Sequence, residues 1–201
     1  MSGVTEEAPT FPMAPPERIE LSPDVALVRC RPERAAAAVT AVNTSLDHLW
    51  PWMAWASEPA TNAGMATFFA ASEELWDQHK DFGYSIVDVD DAVLGGCGLH
   101  GRLGVTGLEI GYWVHVDHIG RGLATDASAA LTVAAFAIPG VERVRIQCEE
   151  SNARSARVPE KLGYAFEGVT VPDDGPCGGR PTQLWLIDRA TWIAGRRGGG
   201  P

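Results

Sequence analysis

The chain has 201 residues, 45% of them apolar and 21% charged, an ordinary globular mix with enough length to bury one core. Its 16 Lys and Arg against 26 Asp and Glu give a net charge of −10, which argues against a nucleic-acid binder and suits a cationic acceptor. Cys30, Cys97, Cys148 and Cys177 lie far apart with no CxxC pair, as expected of reduced thiols in a cytoplasmic protein with no metal site. No apolar leader or long apolar run is present, so neither export nor a membrane span is expected.

Residues 1–17 carry Pro9, Pro12, Pro15 and Pro16 among few aliphatics and are expected to form a disordered or loosely docked arm. The domain is expected over 18–193. Ile19–Arg31 alternates like a strand, with a turn at Pro23 and Asp24. Pro32 suits the first position of a helix, and an Ala-rich run follows it. Pro51 breaks that helix inside LWPWMAWA, which holds Trp50, Trp52 and Trp55. Such a cluster either pins a helix corner into the core or walls a pocket for an apolar or cationic group. Glu58–Lys80 reads as a second helix with Met65, Phe68, Phe69, Leu75 and Trp76 on its buried stripe. Phe82–Val89 and Val93–Leu103 form a hairpin around Asp90 and Asp91. Gly95, Gly96 and Gly98 leave its second strand open to a close approach by other backbone.

The next stretch organises the rest. Leu108–Val116 is rich in β-branched and aromatic residues and reads as a strand. A turn containing Gly120 and Gly122 follows, then a helix with Leu123, Ala127, Ala130, Leu131, Ala134 and Ala135 at helical spacing. Strand, glycine turn and helix start make an anion site, because the first amides of a helix have no intrachain partner and its dipole favours negative charge there. Val141–Cys148 is a strand, Asn152–Leu162 a short helix stopped by Gly163, and Tyr164–Val171 and Gln183–Asp188 are closing strands. Residues 194–201 are expected to be a disordered tail. Only the central strand–helix–strand unit needs a parallel crossover, so the fold is mixed α/β or α+β in one domain.

The phosphate could belong to a dinucleotide, since Gly120, Gly122 and Thr125 read GxGxxT. That fold, however, opens its domain with the motif, and here more than half the chain precedes it. A Walker A loop is excluded, because no GK[ST] follows the glycines. Ile119-Gly-Arg-Gly-Leu-Ala124 resembles the [QR]xxGx[GA] signature of the GNAT acyltransferase superfamily. NARSARVPEKLGY, from Asn152 to Tyr164, resembles its second signature. EIGYWV, HLWPWMAW and QLWLID look like the RimJ/RimL branch, and the resemblance runs over residues 19–192.

The resemblance implies a twisted mixed sheet of about seven strands with about four helices. It implies acetyl-CoA, or another acyl-CoA, as co-substrate, with its pantetheine in a gap beside Trp113, Val114, His115 and Val116. The pyrophosphate is expected on the loop of Ile119, Gly120, Arg121, Gly122, Leu123, Ala124 and Thr125, and further cofactor contacts are expected from Asn152, Arg154 and Ser155. Two departures stand out: Ile119 occupies the usual Gln or Arg position, and Pro159 occupies the place of the Tyr that many of these enzymes use to protonate the leaving thiolate. Ser155 fills the position that the RimJ/RimL branch uses instead.

Transfer to an amine also needs an oxyanion donor, for which a backbone N–H near Val114 is expected, and a base near neutrality. Glu109 is the first candidate base, with its pKa raised by partial burial; a structural ion pair is the other reading. His115 and His100 come next. Trp50, Trp52, Trp55 and Glu109 are the expected acceptor pocket. The expected function is N-acetylation of a protein N-terminus or small amine by a monomer or homodimer; a non-catalytic CoA-binding module on the same fold is the alternative.

Overall fold

In the computed structural model, which describes residues 9–172 and 177–198, eight strands form a single sheet in the order β1-β2-β3-β4-β5-β6-β8-β7. The strands are β1 (Arg18–Ser22), β2 (Val25–Arg29), β3 (Asp81–Asp88), β4 (Val93–His100), β5 (Gly107–Val114), β6 (Arg143–Glu149), β7 (Ala165–Thr170) and β8 (Thr182–Asp188). The helices are α1 (Ala35–Thr44), α2 (Leu46–Leu49), α3 (Asn62–Asp77), α4 (Leu123–Ala137), α5 (Ala153–Lys161) and α6 (Arg189–Gly198). The mixed α/β class is as expected, and the counts are higher for local reasons. The Pro23–Asp24 turn, where Asp24 N–H donates to Ser22 Oγ at 3.2 Å, splits the first strand into the β1/β2 hairpin. Ser45 divides the first helix, and the tail expected to be disordered from 194 continues α6 to Gly198; residues 199–201 lie outside the described residues.

The second half of the arm is docked. Residues 1–8 lie outside the described residues, but Phe11 is 2% exposed and stacks near Phe82 at 6.1 Å. Phe11 N–H donates to His79 O at 2.9 Å, and Tyr84 donates to Pro16 O at 2.7 Å. Proline spacing hides this, because one aromatic is enough to dock a short segment at about 1.5–3 kcal/mol of burial.

The sheet's two faces have different jobs. Leu99, Leu108, Ile110 and Ile146 point back and pack on Ala127, Leu131 and Ala135 of α4 in the main core. On the front, α1 and α3 cover Cys30 and the neighbouring strands through Ala35, Ala38 and Phe69. All strand pairs are antiparallel except β5/β6, whose pairing runs from Gly107↔Arg143 to Ile110↔Ile146 and stops. Both strands continue: β5 reaches Val114 opposite Gly95, and β6 reaches Glu149 opposite Thr182. Each is held by its outer neighbour, so a forked gap opens between them.

Candidate active site

The turn after β5 presents bare amides. Gly120 (φ +77°) and Gly122 (φ +85°) occupy the left-handed region that other residues avoid. Gly122 caps α4 without a side-chain hydrogen bond. The first helical bond is Asp126 N–H to Gly122 O at 3.0 Å, so the N–H groups of Leu123, Ala124 and Thr125 have no partner among the described residues. Arg121 and Ile119 are exposed beside them. A cavity of about 280 Å³ adjoins the turn, lined in part by Leu94, His118, Arg121, Leu123 and Asp126.

The gap exposes a specific part of β5. His115 N–H donates to Leu94 O at 2.8 Å. Hydrogen-bonding direction alternates along a strand, so Trp113 also bonds toward β4, while Tyr112 and Val114 turn their N–H and C=O toward the vacated β6 side. Val116 N–H is already taken by Ser45 Oγ at 3.0 Å. Of the expected edge from Trp113 to Val116, then, Val114 presents free backbone groups and Tyr112 joins it. Trp113 instead lays its indole on Gly96, where a Cβ would stand 2.5 Å from Nε1. His115 Nδ1 accepts the Asp117 N–H at 3.1 Å and so closes the turn.

The N-terminus of α5 faces the same gap. Asn152 Oδ1 caps the helix by accepting Ser155 N–H at 3.1 Å. Arg154 is exposed, and its charge acts with burial to lower the pKa of His48 on α2. Pro159 sits inside α5 and has no N–H for the Ser155 carbonyl four residues back. Tyr112 repairs this defect: its hydroxyl donates to Ser155 O at 3.1 Å and lies 2.9 Å from Ser155 Oγ. A phenol has one proton; with that proton on the carbonyl, Ser155 Oγ–H donates to Tyr112. Burial pushes the Tyr112 pKa well up, so it stays protonated. Burial likewise pushes the nearby Cys148 thiol to about 11, with the adjacent Ser155 hydroxyl acting the other way.

On the front face, Glu109 is 5% exposed at its side chain and fully engaged. It accepts from Arg102 Nη1 at 2.7 Å, Arg145 Nε and Nη2 at 2.9 and 2.6 Å, and Gln147 Nε2 at 2.6 Å. Burial alone would raise its pKa, but Arg145 and Arg102 outweigh that and lower it. This is the reverse of the shift expected for a base, and the contacts are those of the structural ion pair that was the other reading of Glu109.

The tryptophan corner stands over the far end of the gap. Trp50 and Trp55 are 58% and 48% exposed, and Trp55 meets Trp113 edge-on at 6.4 Å. Trp52 is half-buried. Arg180, just before β8, donates to Pro51 O at 2.5 Å and Trp52 O at 3.0 Å. The corner therefore touches β5 through Trp55 and is tied to the start of β8 through Arg180, and it bridges the fork.

The sequence profile of the Acetyltransferase (GNAT) domain matches residues 25–165. The chain belongs to the GNAT acetyltransferase family. This GNAT chain is 38% identical over 60 residues to the "Putative ribosomal N-acetyltransferase YdaF" of Bacillus subtilis (strain 168), a stretch covering 30% of the chain and 33% of YdaF. It is 32% identical over 73 residues to the Kanamycin resistance protein of Rhizobium radiobacter, 36% of the chain and 67% of that protein. Its fold superposes on RimL, a ribosomal L7/L12 α-N-protein acetyltransferase in complex with coenzyme A, with a TM-score of 0.76 at 16% identity, over 86% of this chain and 98% of the other. Mycobacterium smegmatis RimJ in complex with CoA-disulfide gives 0.70 at 21% identity, over 86% and 90%. Among the described residues, no cluster of three or more His, Cys, Asp or Glu is arranged to hold a metal ion, and no helix is long and apolar enough to cross a membrane.

Proposed function

We propose that the protein transfers an acetyl group from acetyl-CoA to a primary amine by direct attack. The observation that carries this reading is the pairing of unpartnered amides at Leu123–Thr125 with a gap edged by the free backbone of Tyr112 and Val114. A pyrophosphate suits the first and an amide-containing pantetheine arm the second. The coenzyme A complex of RimL, which shares the fold, supports the choice of ligand.

In this reading the Gly120–Thr125 amides hold the diphosphate, with Arg121 at its edge. Asn152 and Arg154 border the gap from the α5 side. Val114 N–H is the donor to the developing oxyanion. Ser155 turns Oγ–H toward the departing sulfur, and Tyr112, still protonated, then donates to Ser155 Oγ. Glu109 holds β5 and β6 together on the paired side of the fork. Trp50, Trp52 and Trp55 wall the acceptor side. The acceptor is an amine of a protein N-terminus, as the names of YdaF and RimL suggest, or of a small polyamine such as kanamycin. Four free thiols and a need for acetyl-CoA suit a reducing cytoplasm.

The test is calorimetric titration with acetyl-CoA and with NAD, then thiol release across a panel of N-terminal peptides and aminoglycosides. Acetyl-CoA binding with turnover of at least one amine is expected. NAD binding overturns the reading. Acetyl-CoA binding without turnover across the panel leaves a non-catalytic CoA module.

A further inference from the structure

With Glu109 locked, the reaction still needs a group to take the proton of an ammonium acceptor. We infer that His100, held by Asp81, is that general base; the inference rests on the acetyl-transfer reading above. His100 ends β4 and lies directly across from Asp81 on β3 and from Glu109 on β5. Its Nδ1 is 2.8 Å from Asp81 Oδ2. The carboxylate accepts Nδ1–H and so leaves Nε2 as the bare acceptor. Nε2 has no partner among the described residues, and the side chain is 23% exposed, so a ligand can reach it.

Two glycines set the direction of the ring. A Cβ on Gly98 would stand 3.1 Å from the His100 Cε1, and a Cβ on Gly111 would stand 3.1 Å from Nε2. The imidazole therefore lies across the Gly98–Gly111 pair in space that any other residue would fill. Gly111 is the first residue of β5 beyond the last β5/β6 pair, Ile110↔Ile146. Nε2 accordingly sits at the mouth of the fork, one residue before the free edge at Tyr112. The charged groups that flank it are Asp81 on β3 and, across β5, Glu109 with Arg102 and Arg145. The last three pair with one another and leave Asp81 as the carboxylate that acts on the ring.

The step balances simply. One N–H bond of the ammonium breaks and the proton moves to Nε2, then to solvent. The neutral nitrogen bonds to the thioester carbon, the C–S bond breaks, and a second amine proton is matched by the one the sulfur gains. Asp81 is a positioning residue in this scheme.

The experiment compares wild type with His100→Gln, His100→Ala and Asp81→Asn, using kanamycin and an alanine-initiated tetrapeptide as probe acceptors. The expected result is a kcat at least about 100-fold lower for both His100 variants, with acetyl-CoA affinity and Tm retained. Added imidazole is expected to restore part of the His100→Ala rate. Asp81→Asn is expected to lower kcat less and to move the pH at which kcat rises, which a merely structural pair would not do. Nitrogen-15 NMR of the imidazole in the free protein gives a readout without turnover: the Nδ1–H tautomer is expected, and an Nε2–H tautomer overturns the inference. An active wild type with equally active His100 variants overturns it alone. A wild type that turns over neither probe nor any panel amine overturns it together with the transferase reading.

Discussion

The contact between Tyr112 and α5 can be tested by a double-mutant cycle. Pro159 withholds the donor that the Ser155 carbonyl would receive in an unbroken helix, and Tyr112 supplies one from β5, 43 residues away in sequence. Tyr112→Phe keeps the ring and removes the donor, leaving a part-buried carbonyl and Ser155 Oγ unpaired. An orphaned buried acceptor costs about 1–3 kcal/mol, and with Ser155 half-buried we expect about 1.5 kcal/mol. Pro159→Ala restores a backbone N–H aimed at the same carbonyl. In the wild-type background that N–H competes with Tyr112, and the change also gives up the proline's restriction of the unfolded chain. In the Tyr112→Phe background it fills the vacancy. Pro159→Ala should therefore be more favourable by about 1–1.5 kcal/mol in the second background than in the first. Urea denaturation followed by circular dichroism measures all four corners. A cycle that closes to within about 0.3 kcal/mol would refute the reasoning, because it would mean that tyrosine and proline do not share the carbonyl.

Glu109→Gln removes the anion from a cluster of two arginines, and breaking such a pair costs about 3 kcal/mol, near the low end because Arg102 keeps 43% exposure. Thermal melts should show a drop of about 6–12 °C, while the pH profile of kcat keeps its shape. Because the folded-state pKa of Glu109 is depressed, its stabilisation is present above the ordinary carboxylate range and fades as pH falls through the folded value; the gap between variant and wild type should narrow in acid. A constant gap down to acid unfolding would contradict the shift. Gly122→Ala forces a side chain to φ +85° at a cost of about 1–2 kcal/mol and should weaken acetyl-CoA at least tenfold by calorimetry, with the acceptor KM unchanged. Arg180→Ala should leave Tm nearly unchanged and alter the acceptor KM alone, since its two bonds tie the tryptophan corner to β8.

The parts of this molecule that could be read from sequence are those whose cause is local. Gly120 and Gly122 announce a turn that only glycine tolerates, and the residues after them announce a helix, so the anion loop was visible before any coordinates. Asn152 three residues before Ser155 is likewise a local capping pattern. The illegible parts depend on register. Glu109 reads as a candidate base until Arg102, Arg145 and Gln147 are seen around it, and Arg145 lies 36 residues downstream. Tyr112 lies in the EIGYWV run, but its partner is set only once α5 docks; the signal that could have found it is Pro159, which marks an unpaired carbonyl at Ser155. Asp81 and His100 are 19 residues apart, and only the β3/β4 pairing brings them opposite each other. Phe11 was hidden by its prolines.

The fork has a consequence for the whole domain. β5 and β6 end their partnership at Ile110 and Ile146 with backbone groups still facing the opening, so the sheet is incomplete in the free chain. Under the proposed function, a pantetheine arm lying there would act as a short extra strand, and its binding energy would become folding energy. At a ligand concentration of 100 times Kd this would amount to about 2.7 kcal/mol. The resistance of the domain to heat and proteolysis would then follow the supply of acyl donor.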